Sequence, residues 1–251
     1  MRTSAGRAIP FSGACLVLLA VAVPLACGCH PPKAIPTYEY VTDYERMSDA
    51  HEPLVSLVYE PESTHLSRYR GVIVGDFAVG QEWIESRQKA FGYAALFRVL
   101  LQRELTAQEG FEFATLDKER PPQAQDSGGI IRLEGMVTRF DQGSGLMRYL
   151  SFFLFFLQSG ATDFQVEGRL TDDATGRLLL EFVDRRRGIY NTPFGPNPRT
   201  LREGFAMNYT VRDAAASLAA FIGETCEGPT ATETESAEPE HGELSPMQEP
   251  S

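Results

Sequence analysis

The chain has 251 residues, a formal net charge of -11 and four cysteines. An acidic chain of this kind lacks the electrostatic footprint of a nucleic-acid-binding protein, so we expect no nucleic acid among its partners. The cysteines are too scattered for a disulfide framework or a zinc-finger ligand set. Both ends have a non-globular composition, which leaves roughly 170 residues for one domain with one core.

The first 26 residues have the layout of a secretory signal. Arg2 and Arg7 precede an apolar run that extends over residues 14–26 and contains Pro24. This run is shorter than the roughly 20 residues that a membrane-spanning helix requires. We therefore expect a cleaved signal peptide at 1–26 rather than an uncleaved anchor.

The apolar run ends in Leu25-Ala-Cys-Gly-Cys29, which resembles the lipobox of bacterial lipoproteins. The resemblance implies that Cys27 or Cys29 becomes the acylated N-terminus of the mature protein, and we favour Cys27. Because each buried methylene contributes about 0.8 kcal/mol, a diacylglycerol with an added chain such as palmitate would anchor the protein stably. By the same analogy, the lack of Asp after the cysteine implies sorting to the outer membrane, with the protein facing the periplasm.

Both flanks of the predicted domain have a composition that disfavours packing. Residues 27–54 are polar and rich in proline, which predicts a tether. An edge strand is the alternative there, because Tyr38, Tyr40 and Tyr44 alternate in part. Residues 224–251 carry eight Glu and few apolar side chains to offset the ordering entropy, which predicts a disordered acidic tail.

The first half of the domain predicts a strand-helix-strand unit. Val55–Tyr59 is a short strand candidate, and 71–79 is an apolar, β-branched run typical of a central strand that we expect Gly80 to end. Apolar residues at helical spacing over 81–109 predict a helix that lies on the sheet. Alternation over 111–116 predicts the strand that follows.

The second half predicts three strands, at 130–140, 163–170 and 178–183. In the middle strand the apolar residues alternate with polar ones that we expect to point to water, namely Gln165, Glu167, Arg169 and Thr171. Turn residues at 172–176 predict an antiparallel hairpin. A helix over 201–222, capped by Gly223, would cover the sheet.

These elements together predict an α/β (α+β) fold with a single mixed β-sheet of about five to six strands and two main helices packed on it. The predicted organisation is a signal peptide at 1–26, a tether at 27–54, a single α/β domain at 55–223 and a disordered tail at 224–251.

Residues 129–183 contain a strand that ends in Thr-x-Phe-Asp, then Gly-Ser, an Arg-aromatic pair, an apolar stretch, and a strand that leads into Asp-x-x-Thr-Gly. This order resembles the core of an uncharacterised family of bacterial envelope lipoproteins, a domain of unknown function. The chain departs from the family pattern in the apolar stretch, where the family repeats glycine. The matching residues are Thr138, Phe140, Asp141, Gly143, Ser144, Arg148, Tyr149, Gly160, Asp172, Thr175 and Gly176.

The order of elements is similar, at the level of fold alone, to small α/β domains of other envelope proteins. These are the domains of curli-secretion lipoproteins and penicillin-binding-protein activator lipoproteins, and the amino-terminal domain of the Tol-system propeller protein.

The apolar stretch 152–157 is too short to span a bilayer as a helix. We favour a place in the core. The alternatives are a pore lining or an exposed partner or membrane contact made by Phe152, Phe153, Phe155 and Phe156.

Three successive arginines, Arg185, Arg186 and Arg187, form the main basic concentration of this acidic chain. Guanidinium groups suit the phosphate and carboxylate groups found on lipid A or peptidoglycan, so an anion contact is one interpretation. We favour the other, a solvated strand end paired with the chain's own acids.

The chain contains none of the recognised nucleophile, phosphate-loop or zinc-protease motifs. Its four histidines lie without ligand spacing, so we expect neither a metal nor a cofactor. We favour a non-enzymatic lipoprotein that acts as a binding or assembly module for another envelope component. One alternative is a self-assembling ring or secretion-pore-type lipoprotein, which would be a homo-oligomer. A further alternative is a hydrolase that uses carboxylates such as Asp76 and Asp141.

Overall fold

The computed structural model describes residues 33–49, 54–62, 64–117, 129–147, 160–188, 202 and 204–227. These residues form a mixed sheet of seven strands in the order β1-β2-β7-β6-β5-β3-β4, with two long helices and one short 3-10 helix, Leu66–Arg68. The elements are β1 (Ser48–Asp49), β2 (Leu57–Tyr59), β3 (Tyr69–Ile84), α1 (Arg87–Thr106), β4 (Phe113–Leu116), β5 (Gly129–Asp141), β6 (Thr162–Asp172), β7 (Leu178–Gly188) and α2 (Phe205–Glu227).

The direction of each strand follows from its connection. β3 pairs in parallel with β4 and β5, and α1 supplies the crossover that a parallel β3–β4 pair requires. The other neighbouring strands are antiparallel. The turn between β6 and β7 has the predicted chemistry, since Asp172 Oδ1 accepts the amides of Ala174 and Thr175 at 3.1 and 2.9 Å and Gly176 has a φ of 70°.

The core lies between one face of the sheet and the two helices. Alternate residues of β6, including Phe164, Val166 and Leu170, are fully buried in it. Phe97 of α1 meets Phe77 of β3 edge to face, with ring centroids 5.0 Å apart. The buried face of α2 is rich in alanine, which allows the helix to approach its neighbours closely. No helix in the described ranges is both long and apolar enough to cross a membrane.

The predicted fold class is confirmed, but the sheet has seven strands rather than five to six. The unpredicted strand is β1, which consists of two residues and lies in the segment assigned to the tether. Ser48 and Asp49 pair with Val58 and Leu57 of β2. Two residues are too few to show the alternation by which a strand is recognised in a sequence.

The prediction that Gly80 ends β3 is wrong, because the strand continues to Ile84. Gly80 is required for another reason: a Cβ atom at this position would lie against the carboxylate of Glu39. That carboxylate accepts the amides of Gln81 and Glu82 at 2.8 and 2.9 Å. α1 consequently begins at Arg87, later than predicted.

Gly223 does not cap the second helix, which continues to Glu227. The glycine is buried within α2, and a Cβ atom there would meet the side chain of Gln108. The small residue therefore permits close approach of the segment that follows α1.

Residues 33–47 lie across the face of the sheet opposite the helices, and we call them the strap. Within the strap Val41 is fully buried and Thr37 is nearly so. The side-chain amide of Gln165 on β6 pairs with both the amide and the carbonyl of Ile35, at 3.0 and 2.8 Å. This part of the predicted tether is thus packed on the sheet, whereas the remaining domain boundaries stay predictions.

The strap also corrects the prediction for the polar face of β6. Gln165 and Glu167 were expected to point to water, but both are fully buried. The carboxylate of Glu167 accepts hydrogen bonds from the Thr37 hydroxyl and, at 2.9 Å, from the amide of Val41. Alternation shows which face of a strand is polar, but it does not show whether a distant segment covers that face.

Candidate functional site

An open groove of about 580 Å³ lies at one end of the sheet, where β3, β5 and β7 finish and β6 begins. We call this the groove end; Ile84, Asp141, Thr162 and Gly188 mark it. The described residues that line the groove are Glu85, Asp141, Gly143, Ser144, Gly160, Ala161 and Arg187. Four of them, Asp141, Gly143, Ser144 and Gly160, are positions at which the sequence resembles its predicted family.

The loop after β5 forms one wall of the groove. Asp141 Oδ1 accepts the amide of Gly143 at 2.7 Å, which closes an Asx turn. Gly143 has a φ of 61°, and a Cβ atom there would collide with the carbonyl groups of Gly160 and Ala161. Both the backbone conformation and the space therefore require glycine.

Side chains from the end of β3 and the start of α1 hold the same loop. Glu85 Oε2 accepts the amide of Gln142 at 3.0 Å, and Lys89 Nζ donates to Gln142 Oε1 at 3.1 Å. Gln142 is buried and also lies 3.5 Å from the Tyr93 hydroxyl, which donates to the carbonyl of Gly204 at 3.3 Å. Burial raises the pKa of Tyr93, and the hydrogen bond from Gln142 opposes the rise.

Sequence reasoning missed these supporting residues, since Glu85, Lys89 and Tyr93 fall within the segment 81–109 that was predicted as a helix packed on the sheet. The available signal was weak: it consisted of one polar residue inside the Asp-x-Gly turn, Gln142, and of charged residues that follow the apolar run 71–79. Only the three-dimensional convergence of β3, β5 and α1 shows that they act together.

The chemistry that the groove offers follows from which polar groups are already engaged. Both lining carboxylates accept loop amides, and the Ser144 hydroxyl accepts the amide of Met147 at 3.3 Å. Arg187 is exposed, and its guanidinium makes no ion pair or hydrogen bond with another described residue. The groove therefore presents a cation and a hydroxyl group to solvent, a combination suited to phosphate or carboxylate.

The other two arginines of the predicted anion contact are engaged inside the protein. Arg185 points to the strap face, where it donates to Asp163 through Nε at 2.9 Å and Nη2 at 2.6 Å and to the Lys33 carbonyl at 2.9 Å. Arg139 donates to the same carboxylate at 2.7 Å. Burial alone would raise the pKa of Asp163, but the two guanidinium groups outweigh it and hold the pKa below its ordinary value.

Arg186 points to the opposite face, towards α2. Its Nε donates to Asp184 Oδ2 at 2.9 Å, its Nη1 lies 3.6 Å from Asp213, and its Nη2 donates to the carbonyl of Leu54. Asp184 is fully buried, and among the described residues its Oδ1 has no hydrogen-bond partner. Burial raises the pKa of Asp184 to about 6, although Arg186 acts against the rise.

Arg185 and Arg186 thus pair with the chain's own acids, but their side chains are largely buried, whereas the favoured interpretation had required solvated ones. Arg185 and Arg186 have side-chain exposures of 12% and 9%. Successive residues of a strand point to opposite faces, so a run of three arginines cannot form one surface. The anion contact remains a prediction for Arg187.

The family-pattern positions divide into two groups at opposite ends of β5 and β6. Next to the groove, Phe140 lies in the core, and buried Thr138 accepts the side-chain amide of Gln165 at 3.3 Å. At the far end, Asp172 Oδ2 accepts the Tyr69 hydroxyl at 2.8 Å. Burial would raise the pKa of Asp172, but hydrogen bonds from Tyr69 and the turn amides hold it below its ordinary value. Asp172, Thr175 and Gly176 therefore have a structural role in the turn.

The acid pair of the hydrolase alternative is not assembled. Asp76 lies near the middle of β3 and pairs with Arg98 of α1 at 2.6 Å, whereas Asp141 lies at the groove end. The remaining predicted site residues lie outside the described residues; they are Cys27, Cys29, Arg148, Phe152, Phe153, Phe155 and Phe156.

The segment that contains the groove residues resembles a known protein family. Residues 72–192 match the family DUF4410, a domain of unknown function. The predicted resemblance to a domain-of-unknown-function family is therefore confirmed, and the match extends beyond 129–183 to include most of β3, α1 and β4. Every described residue that lines the groove falls within the segment that matches this family.

Solved structures with a distantly similar arrangement include two of the PelC dodecamer from Paraburkholderia phytofirmans. They are 13% and 15% identical to this chain, both with a TM-score of 0.39, and the alignments cover 64% of this chain and 95% and 97% of theirs. The protein XCC0632 from Xanthomonas campestris, of family DUF330, is 11% identical, with a TM-score of 0.38 and coverage of 65% of this chain and 90% of its own.

Scores and identities this low indicate only distant similarity, so they assign neither an assembly nor an activity to this chain. No curated protein matches the chain at a significant level.

Proposed function

We propose that the protein is a lipoprotein acylated at Cys27 or Cys29, anchored in the outer membrane and facing the periplasm. In this proposal its α/β domain is a non-enzymatic module that binds or assembles another envelope component at the groove. The proposal rests on the difference between the groove groups that already make contacts within the protein and those that are exposed. The acids hold the loop, while Arg187 and Ser144 face solvent.

The engaged carboxylates support binding rather than catalysis. A general acid or base must be able to reach the substrate proton, whereas Glu85 and Asp141 each accept an amide of the loop that forms the groove wall. A nucleophilic serine requires an adjacent base, and the Ser144 hydroxyl instead accepts the amide of Met147. These contacts make the loop rigid, which lowers the entropy cost of binding a partner.

The exposed charge suggests the chemistry of the partner. Arg187 can form paired hydrogen bonds with a phosphate or carboxylate, and the neighbouring Ser144 hydroxyl can donate or accept. A groove of about 580 Å³ that is open to solvent suits a protruding group of a larger molecule. We therefore propose a partner that presents an anionic group to the groove end.

Photo-crosslinking in cells tests this function. A photoreactive residue in place of Ser144 should trap the partner in the full-length protein, and the same residue in place of exposed Ala174, at the far end of the sheet, is the matched control. Arg187→Glu should reduce the yield from position 144, because it replaces the exposed cation with an anion. Equal yields from positions 144 and 174, or no response to Arg187→Glu, would count against the groove as the binding surface.

The same experiment distinguishes self-assembly from binding of a different molecule. An adduct from position 144 with twice the mass of the chain, containing only its own peptides, would support the alternative of a self-assembling lipoprotein. An adduct of another mass identifies the partner directly.

A further inference from the structure

Large apolar side chains that remain exposed gather at the groove end. Trp83, which is 49% exposed, lies at the end of β3, and Leu146 and Met147, which are 60% and 40% exposed, follow β5. Phe91 and Tyr209, each about half exposed, are the fifth residues of α1 and α2. A surface of a soluble domain rarely concentrates such side chains without a partner.

Both helices begin at this end, which places their exposed aromatic residues near the groove. Only two residues separate the end of β3 from the start of α1, and Thr210 of α2 is hydrogen bonded to Thr162 at the start of β6 at 2.7 Å. At 1.5 Å per residue, Phe91 lies roughly 6 Å along its helix. Of the other exposed large apolar residues in the described part, Val99 lies roughly 18 Å along α1. Tyr38 lies nearer to the groove end, because the carboxylate of the next residue, Glu39, accepts the amides of Gln81 and Glu82 near the end of β3.

The polypeptide that leads to the predicted lipid anchor enters at the same end. The carbonyl of Lys33 accepts Arg185 Nη1 at 2.9 Å, and the same guanidinium binds Asp163 at the start of β6. Lys33 follows Cys29 by four positions and Cys27 by six. Because an extended chain spans at most about 3.6 Å per residue, an acylated cysteine would keep Lys33 within about 20 Å of the bilayer.

We propose that the groove end rests on the surface of a phospholipid bilayer, with Trp83, Leu146 and Met147 in the headgroup region. This inference depends on the acylation proposed above. A short link holds the bilayer at a high effective concentration next to these side chains, which favours the membrane over a freely diffusing partner as their occupant. Tryptophan and tyrosine are also the residues that membrane interfaces favour. The groove would then open at the level of the membrane, towards a component that reaches the bilayer surface.

Apolar insertion rather than net charge must dominate this contact, because the exposed charges at the groove end have both signs. They include the basic residues Lys33, Arg87, Lys89 and Arg187 and the acidic residues Glu82, Glu85 and Asp141. The depth of Trp83 should therefore change little between low and high salt.

The position of Trp83 provides a direct test, since it is the only tryptophan in the chain. The full-length acylated protein is reconstituted into vesicles of phosphatidylethanolamine and phosphatidylglycerol, with or without lipids brominated near the headgroup. We expect brominated lipid to quench the Trp83 emission strongly, because bromine quenches only at short range and an interfacial tryptophan lies at the headgroup level. Unchanged emission from protein that floats with the vesicles would overturn the proposed orientation.

A pair of variants separates this contact from a general effect of charge. Leu146→Glu combined with Met147→Glu should abolish most of the quenching, whereas Val99→Glu, at a residue that is 51% exposed, should leave it unchanged. All three positions are exposed, so each variant should keep the melting temperature of the wild type. Equal quenching in the two variants would contradict the proposal.

Different results would contradict the proposed acylation and the proposed orientation on the bilayer. Mass spectrometry of the same preparation reports acylation before the vesicles are added. A chain without lipid overturns the anchor and, with it, the premise of the orientation. An acylated chain whose Trp83 is not quenched overturns the orientation alone.

Discussion

At the scale of single residues, Asp184 links stability to pH. It is fully buried, and burial raises its pKa from 3.8 to about 6 against the influence of Arg186. The native state therefore binds more protons than the unfolded state between these values, so this residue's contribution to stability falls as the pH rises through them. At about 1.4 kcal/mol per pKa unit, the total change is about 3 kcal/mol.

Asp184→Asn should remove this dependence, because an amide does not titrate in this range. Urea denaturation between about pH 4.5 and about pH 6.5 should show a flatter free energy of unfolding than in the wild type. Asp163→Asn is the control: the pKa of Asp163 is lowered, so its carboxylate is ionised in both states over this range. The control should cost about 2 kcal/mol at every pH without changing the slope. A wild-type slope in Asp184→Asn would contradict the assignment.

Gly143 lies in the groove loop, and Gly176, in the turn between β6 and β7, is its matched control. Both have positive φ, 61° and 70°, but a Cβ atom would collide with backbone only at Gly143 and would meet open space at Gly176. Gly176→Ala should cost about 1 kcal/mol, the conformational term alone. Gly143→Ala should cost more than this and should also reduce crosslinking from position 144. Equal losses of stability in thermal unfolding would show that the contact with Gly160 and Ala161 is relaxed.

At the scale of elements, the strap depends on Glu167. Its carboxylate accepts hydrogen bonds from Thr37, the amide of Val41 and Gln165 Nε2. All three partners are donors, so the amide group of Glu167→Gln places a donor against a donor and should cost about 2 kcal/mol. The strap should then open locally, which hydrogen exchange of the Val41 amide measures.

Glu181→Gln is the control for the strap, because Glu181 contacts the same segment through a partly exposed ion pair with Arg46. Such pairs contribute about 0 to 1 kcal/mol, so the control should leave the exchange of Val41 nearly unchanged. If both variants accelerate exchange equally, the buried carboxylate has no special role in holding the strap.

Local patterns predicted most of the elements but not what covers them. The apolar run 71–79 and the helical spacing after it predicted β3 and α1, because burial imposes those periods on the sequence. The strap was assigned to a tether because prolines remove regular hydrogen bonding. Its side-chain contacts with Gln165 and Glu167 span about 130 positions, and no local period reports such a contact.

At the scale of the whole molecule, the groove could be predicted only in part. Asp141, Gly143, Ser144 and Gly160 were recognisable as a pattern in one stretch. Glu85 and Arg187 lie beside them only because parallel β3–β5 pairing and antiparallel β6–β7 pairing bring the termini of four strands to the groove end. The same topology brings the strap and the starts of both helices to the groove end, so the groove lies close to the segment that leads to the proposed anchor.

The chemical identity of the mature N-terminus tests the proposed membrane location directly. Intact-protein and peptide mass spectrometry of the full-length chain, expressed with its leader and extracted from membranes, should show a protein that begins at Cys27 or Cys29 and carries a diacylglycerol and an added acyl chain. A mature chain that begins at any other residue, or that carries no lipid on either cysteine, would contradict the proposal that this domain works at a membrane surface.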